Sequence, residues 1–497
     1  MNDTSSSTAG SLPERIHIVG VGGAGASGSA RLLARRGHRV SGYDRAHSGF
    51  LVGLAEQGIE LQVGEERRPL DPDVGLVVRS AAVPEDDPDC AAARERGVPV
   101  WKYARLLGRL CPTGRTLAVA GTHGKTSVSW LLAYALRGLE HGWTTRAGAL
   151  GAGADKAPNR GFLIGGSCQT LGVNAVAAAE GGWFALEACE YDRSFLQFGT
   201  TGAVITNVEA DHLDYYGDLD AIERAFARFA ARVDPRGLLV VGHDVPERVS
   251  AAARARVWRL GRELQVDYLA ERRGSFRIKV RGPGWATPPL DLGVVGEFQA
   301  ENAALALGLA IGRAATEWGL DPTRAAADAA REVARFRGAQ RRFESWGSFD
   351  GREVIHDYAH HPTEIGVTLE AGRRAFPDRP LHVLFQPHQH SRTARLLGDF
   401  VESLRGVDHV VVSDVYGARV HIDHVGAGAD ELARRLRKCG TPARAGGDLT
   451  SSLQACLERL PSRAALFVLG AGDIDTLRDD LTRELALSGA ATSRARV

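Results

Sequence analysis

Lysine is scarce in this chain of 497 residues: there are five, Lys102, Lys125, Lys156, Lys279 and Lys438, so its positive charge is nearly all arginine. A lysine inside a glycine loop therefore stands out. The six cysteines (Cys90, Cys111, Cys168, Cys189, Cys439 and Cys456) are scattered, with no C-x-x-C pair. That fits reduced thiols better than a disulfide framework or a zinc site. No run of about 18 apolar residues occurs, so no membrane-spanning helix and no membrane partner is expected. Net charge is +1, so the basic field that a nucleic-acid partner requires is missing. Met1 to Gly10 is polar and Ser/Thr-rich and lacks the apolar stretch of a signal peptide. It reads as a disordered tail on a cytoplasmic protein.

What is present is ordinary for a soluble globular protein, with 44% hydrophobic and 24% charged residues. At roughly 150 residues per domain, the length suggests about three domains. Short apolar runs alternate with helical stretches: Ile16–Val19, a helix around Ser29–Arg36, Val40–Tyr43 and Val74–Val78. This rhythm predicts a parallel sheet with helices on both faces. A turn-like linker at Cys111–Gly114 closes it. Leu117–Ala120 opens a second β-α pattern, with a helix over Thr126–Leu136. Strands at Trp183–Cys189 and Ala203–Thr206 follow, then a helix at Ala303–Ala314. Residues 138–161, rich in Gly and Ala without clear periodicity, read as a loop or insertion. A third unit begins near Phe336, with strands at Val354–His356, Leu381–Phe385, Val410–Ser413 and Leu466–Leu469, and the tail after Leu487 is expected to fray. The fold class is therefore α/β in three domains: a Rossmann-like domain over 1–112, a P-loop ATPase-like domain over 113–335 and a Rossmann-like domain over 336–497.

Two glycine loops carry chemistry. Gly20-Val21-Gly22-Gly23-Ala24-Gly25 matches G-x-G-x-x-G between a strand and a helix. Such glycines let the backbone approach a pyrophosphate at a helix N-terminus, and Asp44, ending the next strand, stands where a ribose-binding acid would be. The alternative is a tight turn that serves helix–strand packing alone. In the second loop, Gly121-Thr122-His123-Gly124-Lys125-Thr126-Ser127 also links strand to helix. Its N–H groups can wrap β- and γ-phosphates, Lys125 can offset their charge and the Thr126 hydroxyl can bind Mg2+. The strict P-loop pattern would put its first glycine at Val119, so this is a shortened variant closed by Gly121. A single-site oxidoreductase needs one nucleotide cradle. Two cradles suggest one nucleotide as substrate carrier and one as energy source.

Carboxylates and histidines cluster after later strands. Glu187 ends an apolar strand, the usual place for a hard oxygen ligand of Mg2+. Glu209, Asp211, His212 and Asp214 share one loop, which reads equally as a turn with helix-capping acids. Asp357-Tyr358-Ala359-His360-His361-Pro362 and Phe385-Gln386-Pro387-His388-Gln389-His390-Ser391-Arg392-Thr393 each follow a strand. Metal binding by these histidines is one reading. Polar contact with substrate at the carboxyl ends of strands is favoured.

In order and spacing these segments, with Arg341-Arg342-Phe343-Glu344 and the Gly470–Ile474 stretch, resemble the Mur ligases, most of all their alanine-adding branch. The resemblance runs from about Ile16 to Ile474. It implies an ATP- and Mg2+-dependent ligase of peptidoglycan precursor synthesis that joins L-alanine to UDP-N-acetylmuramate through an acyl phosphate, acting as monomer or homodimer. By carry-over, Gly20, Gly22, Gly23, Ala24, Gly25, Asp44, Ser80, Ala81 and Ala82 resemble the sugar-nucleotide site. Gly121 to Ser127 with Asn302, Arg342 and Asp357 resemble the ATP site. Thr126, Glu187 and His212 resemble Mg2+ ligands, and Tyr358, His360, His388 and Arg392 the amino-acid pocket, with Lys125, His212, His360 and Arg392 nearest the chemistry. The chain departs from the family pattern at Phe298-Gln299, where His-Asn is usual, and at Gln389, where Arg is common. Sibling ligases use a carbamylated lysine near Mg2+; no lysine lies between Lys156 and Lys279, which excludes that device here. The rival readings are a recycling ligase that adds a whole peptide to the same sugar, an NAD(P)-dependent oxidoreductase, and a non-catalytic nucleotide-binding protein.

Overall fold

The computed structural model describes residues 11–112, 114–149, 160–168, 170–417 and 428–494. The tail Met1–Gly10 lies outside them, as do residues 150–159 of the expected loop. The chain divides into two compact units. One comprises the residues up to 265 with 282–286 and 303–333; the other comprises 266–281, 287–302 and 334–497.

The first unit holds two sheets. In the first, five strands lie in the order Glu60–Val63, Arg39–Asp44, Arg15–Val19, Leu76–Arg79, Val100–Lys102, all parallel. The apolar runs Ile16, Ile18, Val77 and Val78 are fully buried, as a strand covered on both faces requires. The helix Ala24–Arg35 begins five residues before the expected Ser29, because its first turn is made of small residues that read as loop.

The second sheet has seven strands, ordered Arg256–Arg259, Val233–Val241, Thr200–Ile205, Thr116–Ala120, Trp183–Glu187, Arg160–Leu163, Ala175–Val176. All pair in parallel except the last two, which are antiparallel. The helix after Thr116–Ala120 runs from Lys125 to Ala149, well past the expected end at Leu136. The expectation of a loop from residue 138 is overturned over 138–149. Gly138 and Gly142 do not break this helix; they let it approach the helix Pro322–Val333. A Cβ at Gly138 would lie 2.2 Å from the Asp328 carbonyl oxygen, and one at Gly142 2.0 Å from an Asp328 carboxylate oxygen.

The second unit contains a six-stranded sheet ordered Glu344–Phe349, Arg352–Asp357, Ala465–Leu469, Leu381–Phe385, His409–Ser413, Ala443–Gly447. The first pair is antiparallel and the rest parallel. A small sheet including Ser275–Gly282 and Leu290–Val295, paired antiparallel, was not foreseen. The helix Arg478–Arg494 carries on past Leu487, where a tail was expected to begin. Among the described residues no helix is long and apolar enough to cross a membrane.

Candidate active site

Each large sheet gathers loops at the carboxyl ends of neighbouring parallel strands, where open α/β sheets bind ligands. In the first sheet, Arg15–Val19 lies between Arg39–Asp44 and Leu76–Arg79, so Gly20–Gly25, Asp44 and Ser80–Ala82 meet. A Cβ at Gly20 would lie 2.8 Å from the Ser80 Cβ. The Asp44 carboxylate accepts from Gly22 N at 2.8 Å and from Ala46 N at 3.2 Å, so it braces the glycine loop from behind. The space a side chain at Gly25 would need is taken by the Tyr103 hydroxyl, 2.4 Å from an ideal Cβ.

In the second sheet, Thr116–Ala120 lies between Trp183–Glu187 and Thr200–Ile205. The loops after those three strands converge. Gly121 takes φ +142, and a Cβ there would fall 1.8 Å from the Thr206 hydroxyl, so no other residue fits. The loop is then fastened to Thr206–Glu209. Thr122 N donates to Asn207 O at 3.1 Å, His123 N to the Asn207 side-chain oxygen at 2.8 Å, and the Thr206 hydroxyl to His123 O at 2.6 Å. With Thr122 and His123 N–H so used, the N–H groups left for an anion are those from Gly124 onward, at the start of the helix Lys125–Ala149.

Lys125 turns back into this loop. Its ammonium donates to Gly121 O at 2.6 Å, to Thr122 O at 3.0 Å and to Glu190 at 3.1 Å. Burial opposes the charge, but the Glu190 carboxylate raises the ammonium's pKa above its ordinary value. The Thr126 hydroxyl donates to a Glu187 oxygen at 3.0 Å, while the other Glu187 oxygen accepts Gly165 N at 2.8 Å. His212 Nε2 lies 3.7 Å from Glu190 and 3.8 Å from Asp211. His212 itself sits at φ +52, a backbone state that non-glycine residues hold mainly where surroundings enforce it. Thr126, Glu187 and His212 thus share one cluster with Lys125. The hydroxyl and carboxylate oxygens of Thr126 and Glu187 are the hard donors that suit Mg2+, and His212 stands beside them through Glu190.

The remaining expected residues belong to the second unit. Asn302 is buried and donates to Gln299 at 3.3 Å. Asp357 ends its strand with both oxygens in use, accepting Phe343 N at 2.7 Å and Ala359 N at 2.8 Å. Burial pushes its pKa up to about 6, against the pull of Arg342. Arg342 lies 3.5 Å from Glu364, and both Arg341 and Arg342 sit over the Tyr358 ring. His360 Nδ1 is 3.0 Å from Tyr358 O and 3.1 Å from Glu364. Both partners are acceptors, so Nδ1 carries a proton and Nε2 is the basic nitrogen. The rings of His360 and His388 stand 5.6 Å apart, and Arg392 Nη1 is 3.2 Å from His388 Nδ1. Tyr358, His360, His388 and Arg392 are therefore one cluster.

Sequence reasoning gave Glu190, Asn207, Gln386 and Asp473 no role of their own and overlooked Glu364 and Tyr416. Glu364 was detectable as the fourth residue of a capping box begun by His361. Tyr416 stands just beyond the strand His409–Ser413, bridged to His388, and its place after a strand was its one signal.

Comparison with known proteins covers nearly the whole chain. The family model described as "Mur ligase family, catalytic domain" matches residues 15–114, "Mur ligase middle domain" matches 119–310 and "Mur ligase, glutamate ligase domain" matches 341–472. The UDP-N-acetylmuramate--L-alanine ligase of Saccharopolyspora erythraea is 36% identical, covering 99% of this chain and 97% of its own. That of Kineococcus radiotolerans is 38% identical over 95% and 96%. Among solved structures, the UDP-N-acetylmuramate-alanine ligase of Thermotoga maritima superposes with a TM-score of 0.75 at 24% identity, covering 95% and 99%. A murein peptide ligase from Psychrobacter arcticus gives 0.68 at 20% identity, over 95% and 99%. At those identities the structures speak for the fold, and it is the three-domain architecture expected from the sequence. With full-length relatives above 30% identity and three successive matching regions, the chain belongs to the Mur ligase family.

Proposed function

We propose that this chain joins L-alanine to the carboxylate of UDP-N-acetylmuramate, converting ATP to ADP and phosphate, in the cytoplasmic synthesis of peptidoglycan precursors. The observation that carries the reading is the Lys125–Thr126–Glu187–His212 cluster, closed by Glu190, at a shortened phosphate loop. The full-length relatives bearing the alanine-ligase name support the substrate pair and do not favour the peptide-adding or oxidoreductase alternatives. Residues 1–112 take the sugar nucleotide, 113–335 the ATP and 336–497 the amino acid, in a monomer or homodimer.

The N–H groups from Gly124 onward bind the phosphates, and Lys125 releases its loop carbonyls to offset charge on the transferring phosphoryl group. Thr126, Glu187 and His212 would hold Mg2+, which when bound supplies further positive charge there. Gly20–Gly25, Asp44 and Ser80–Ala82 present the sugar carboxylate. Asn302, Arg342 and Asp357 orient the nucleotide. Arg392 and His388 hold the alanine carboxylate; the sugar carboxylate takes the γ-phosphoryl group of ATP as ADP leaves, the alanine amine attacks the resulting acyl phosphate and expels phosphate, and His360 accepts the amine proton at Nε2. Phosphate release measured with UDP-N-acetylmuramate, ATP and a panel of amino acids tests the reading. Alanine-dependent release is expected; release that requires a peptide, or none with any amino acid, would overturn it.

A further inference from the structure

Tyr416 holds the amino-acid cluster of the second unit together without belonging to it. Its backbone is zipped to the segment beside it: Tyr416 N donates to Pro387 O at 2.8 Å and Gln389 N to Tyr416 O at 2.9 Å. Those bonds add a bridge between His388 and Tyr416 beyond the ends of the strands Leu381–Phe385 and His409–Ser413. They also pin Gln389, which sits at φ +68, a conformation that side chains other than glycine rarely adopt. Gln389 is the N-cap of the short helix His390–Arg395, so the same bonds set where Arg392 starts from.

The ring acts beside the backbone. It stacks on His388 with centroids 5.6 Å apart and planes 20° from parallel. Gly472 borders the Tyr416 ring too: a Cβ at Gly472 would lie 2.6 Å from Tyr416 Cγ and 2.4 Å from Gln386 Oε1. Gln386 cannot yield easily, since it donates to Asp473 at 2.7 Å and accepts Ile474 N at 3.2 Å. The ring is thus confined between His388 and a glycine, and His388 rests on it. A guanidinium has no acceptor, so the 3.2 Å contact with Arg392 makes His388 Nδ1 the acceptor. That fixes the imidazole as neutral, with its proton on Nε2.

We infer that Tyr416 is a positioning residue for the amino-acid substrate: its ring sets the plane of His388, and His388 Nδ1 in turn holds the Arg392 guanidinium where the substrate carboxylate is received. The inference rests on the function proposed above. The hydroxyl plays no part in it; the ring face does.

The test is steady-state phosphate release by the full chain with UDP-N-acetylmuramate, ATP and L-alanine, comparing wild type with Tyr416→Phe, Tyr416→Leu and Gly472→Ala. Tyr416→Phe should match wild type. Tyr416→Leu and Gly472→Ala should raise the KM for alanine by about tenfold, as expected when a charge-assisted carboxylate contact loses its orientation, with the KM for ATP unchanged. Thermal melts confirm that each variant is folded, and Gly472→Ala, which keeps the tyrosine, carries the test should Tyr416→Leu fail to fold. An unchanged alanine KM in folded variants, or equal rises in the KM values for alanine and ATP, overturns the inference. No alanine-dependent turnover in wild type would instead overturn the proposed function.

Discussion

The Lys125 ammonium lies 3.0 Å from a Glu190 carboxylate oxygen, in a pair with side chains 16% and 4% exposed. Two further contacts, to the carbonyls of Gly121 and Thr122, complete its coordination. The lysine that should meet phosphate is therefore held, charged, against its own loop. Lys125→Ala is expected to lower turnover on the order of 10³-fold or more, the scale of a group that stabilises a transferring phosphoryl. Phosphate release at saturating substrates measures it, and turnover near wild type would remove Lys125 from the chemistry.

Glu190 has a separable role. Glu190→Gln leaves a buried ammonium without its counter-charge, which costs about 3–5 kcal/mol when one side of a buried pair is removed. The two carbonyls that remain place the loss near the lower end. The double variant Lys125→Met/Glu190→Gln should recover most of that stability and none of the activity. Urea unfolding of the single and double variants gives the coupling. Additive losses would mean that the pair does not interact in solution.

The Thr126–Glu187 contact predicts a metal phenotype. Glu187→Gln keeps the hydrogen bond from Thr126 within reach but replaces an anionic oxygen by a neutral one, so the Mg2+ concentration giving half-maximal activity should rise by about tenfold or more. A Mg2+ titration decides it; an unchanged midpoint would place the ion on other ligands.

Much of this site was legible because its residues sit where strands end. Leu381–Phe385 was foreseen to the residue, and Thr116–Ala120 and Arg352–Asp357 within two, since buried parallel strands are plain apolar runs. The glycine loops and the histidines His360 and His388 followed from those ends, whereas Arg392 gained its role only through the family resemblance. What periodicity could not show depended on partners distant in sequence. Gly138 and Gly142 looked like breakers, yet they admit Asp328 from a helix nearly two hundred residues on. The helix Lys125–Ala149 gave no amphipathic stripe because Val128 and Trp130–Leu136 are all buried. Glu190 looked like one acid among several until the fold set it against Lys125. Tyr416 carried no local signal beyond its place after a strand.

Arg392 is expected to act on the amino acid alone. Arg392→Ala removes a guanidinium that lies on His388 and belongs to the cluster with His360. The KM for alanine should rise about 10- to 100-fold with little change for ATP, as loss of a charge-assisted carboxylate contact requires. Initial rates over an alanine series measure it. An unchanged alanine KM would move the carboxylate site elsewhere.

Acid should destabilise the second unit, and the sign can be worked out from three groups. Burial lowers His356 and His409 to about 4, below the 6.5 of an exposed imidazole. Their neutral forms are compatible with the fold, so this stability is full above about 6.5 and is lost as pH falls toward 4, by up to about 3 kcal/mol for the deeply buried His356 and by less for His409, whose charge is better screened. Asp357 works the other way. Its carboxyl, raised to about 6 from 3.8, is easier to keep protonated in the fold, so acidification from 6 to 4 returns stability. Two losses outweigh one gain, and the urea midpoint should fall between pH 7 and pH 4.5. Replacing His409, which stacks on His382 with centroids 5.7 Å apart, by leucine should flatten that fall. Asp357→Asn should steepen it, because the compensating proton is gone. A His409→Leu variant with the wild-type slope would show that this imidazole takes up no proton on unfolding, and the burial argument for it would be wrong.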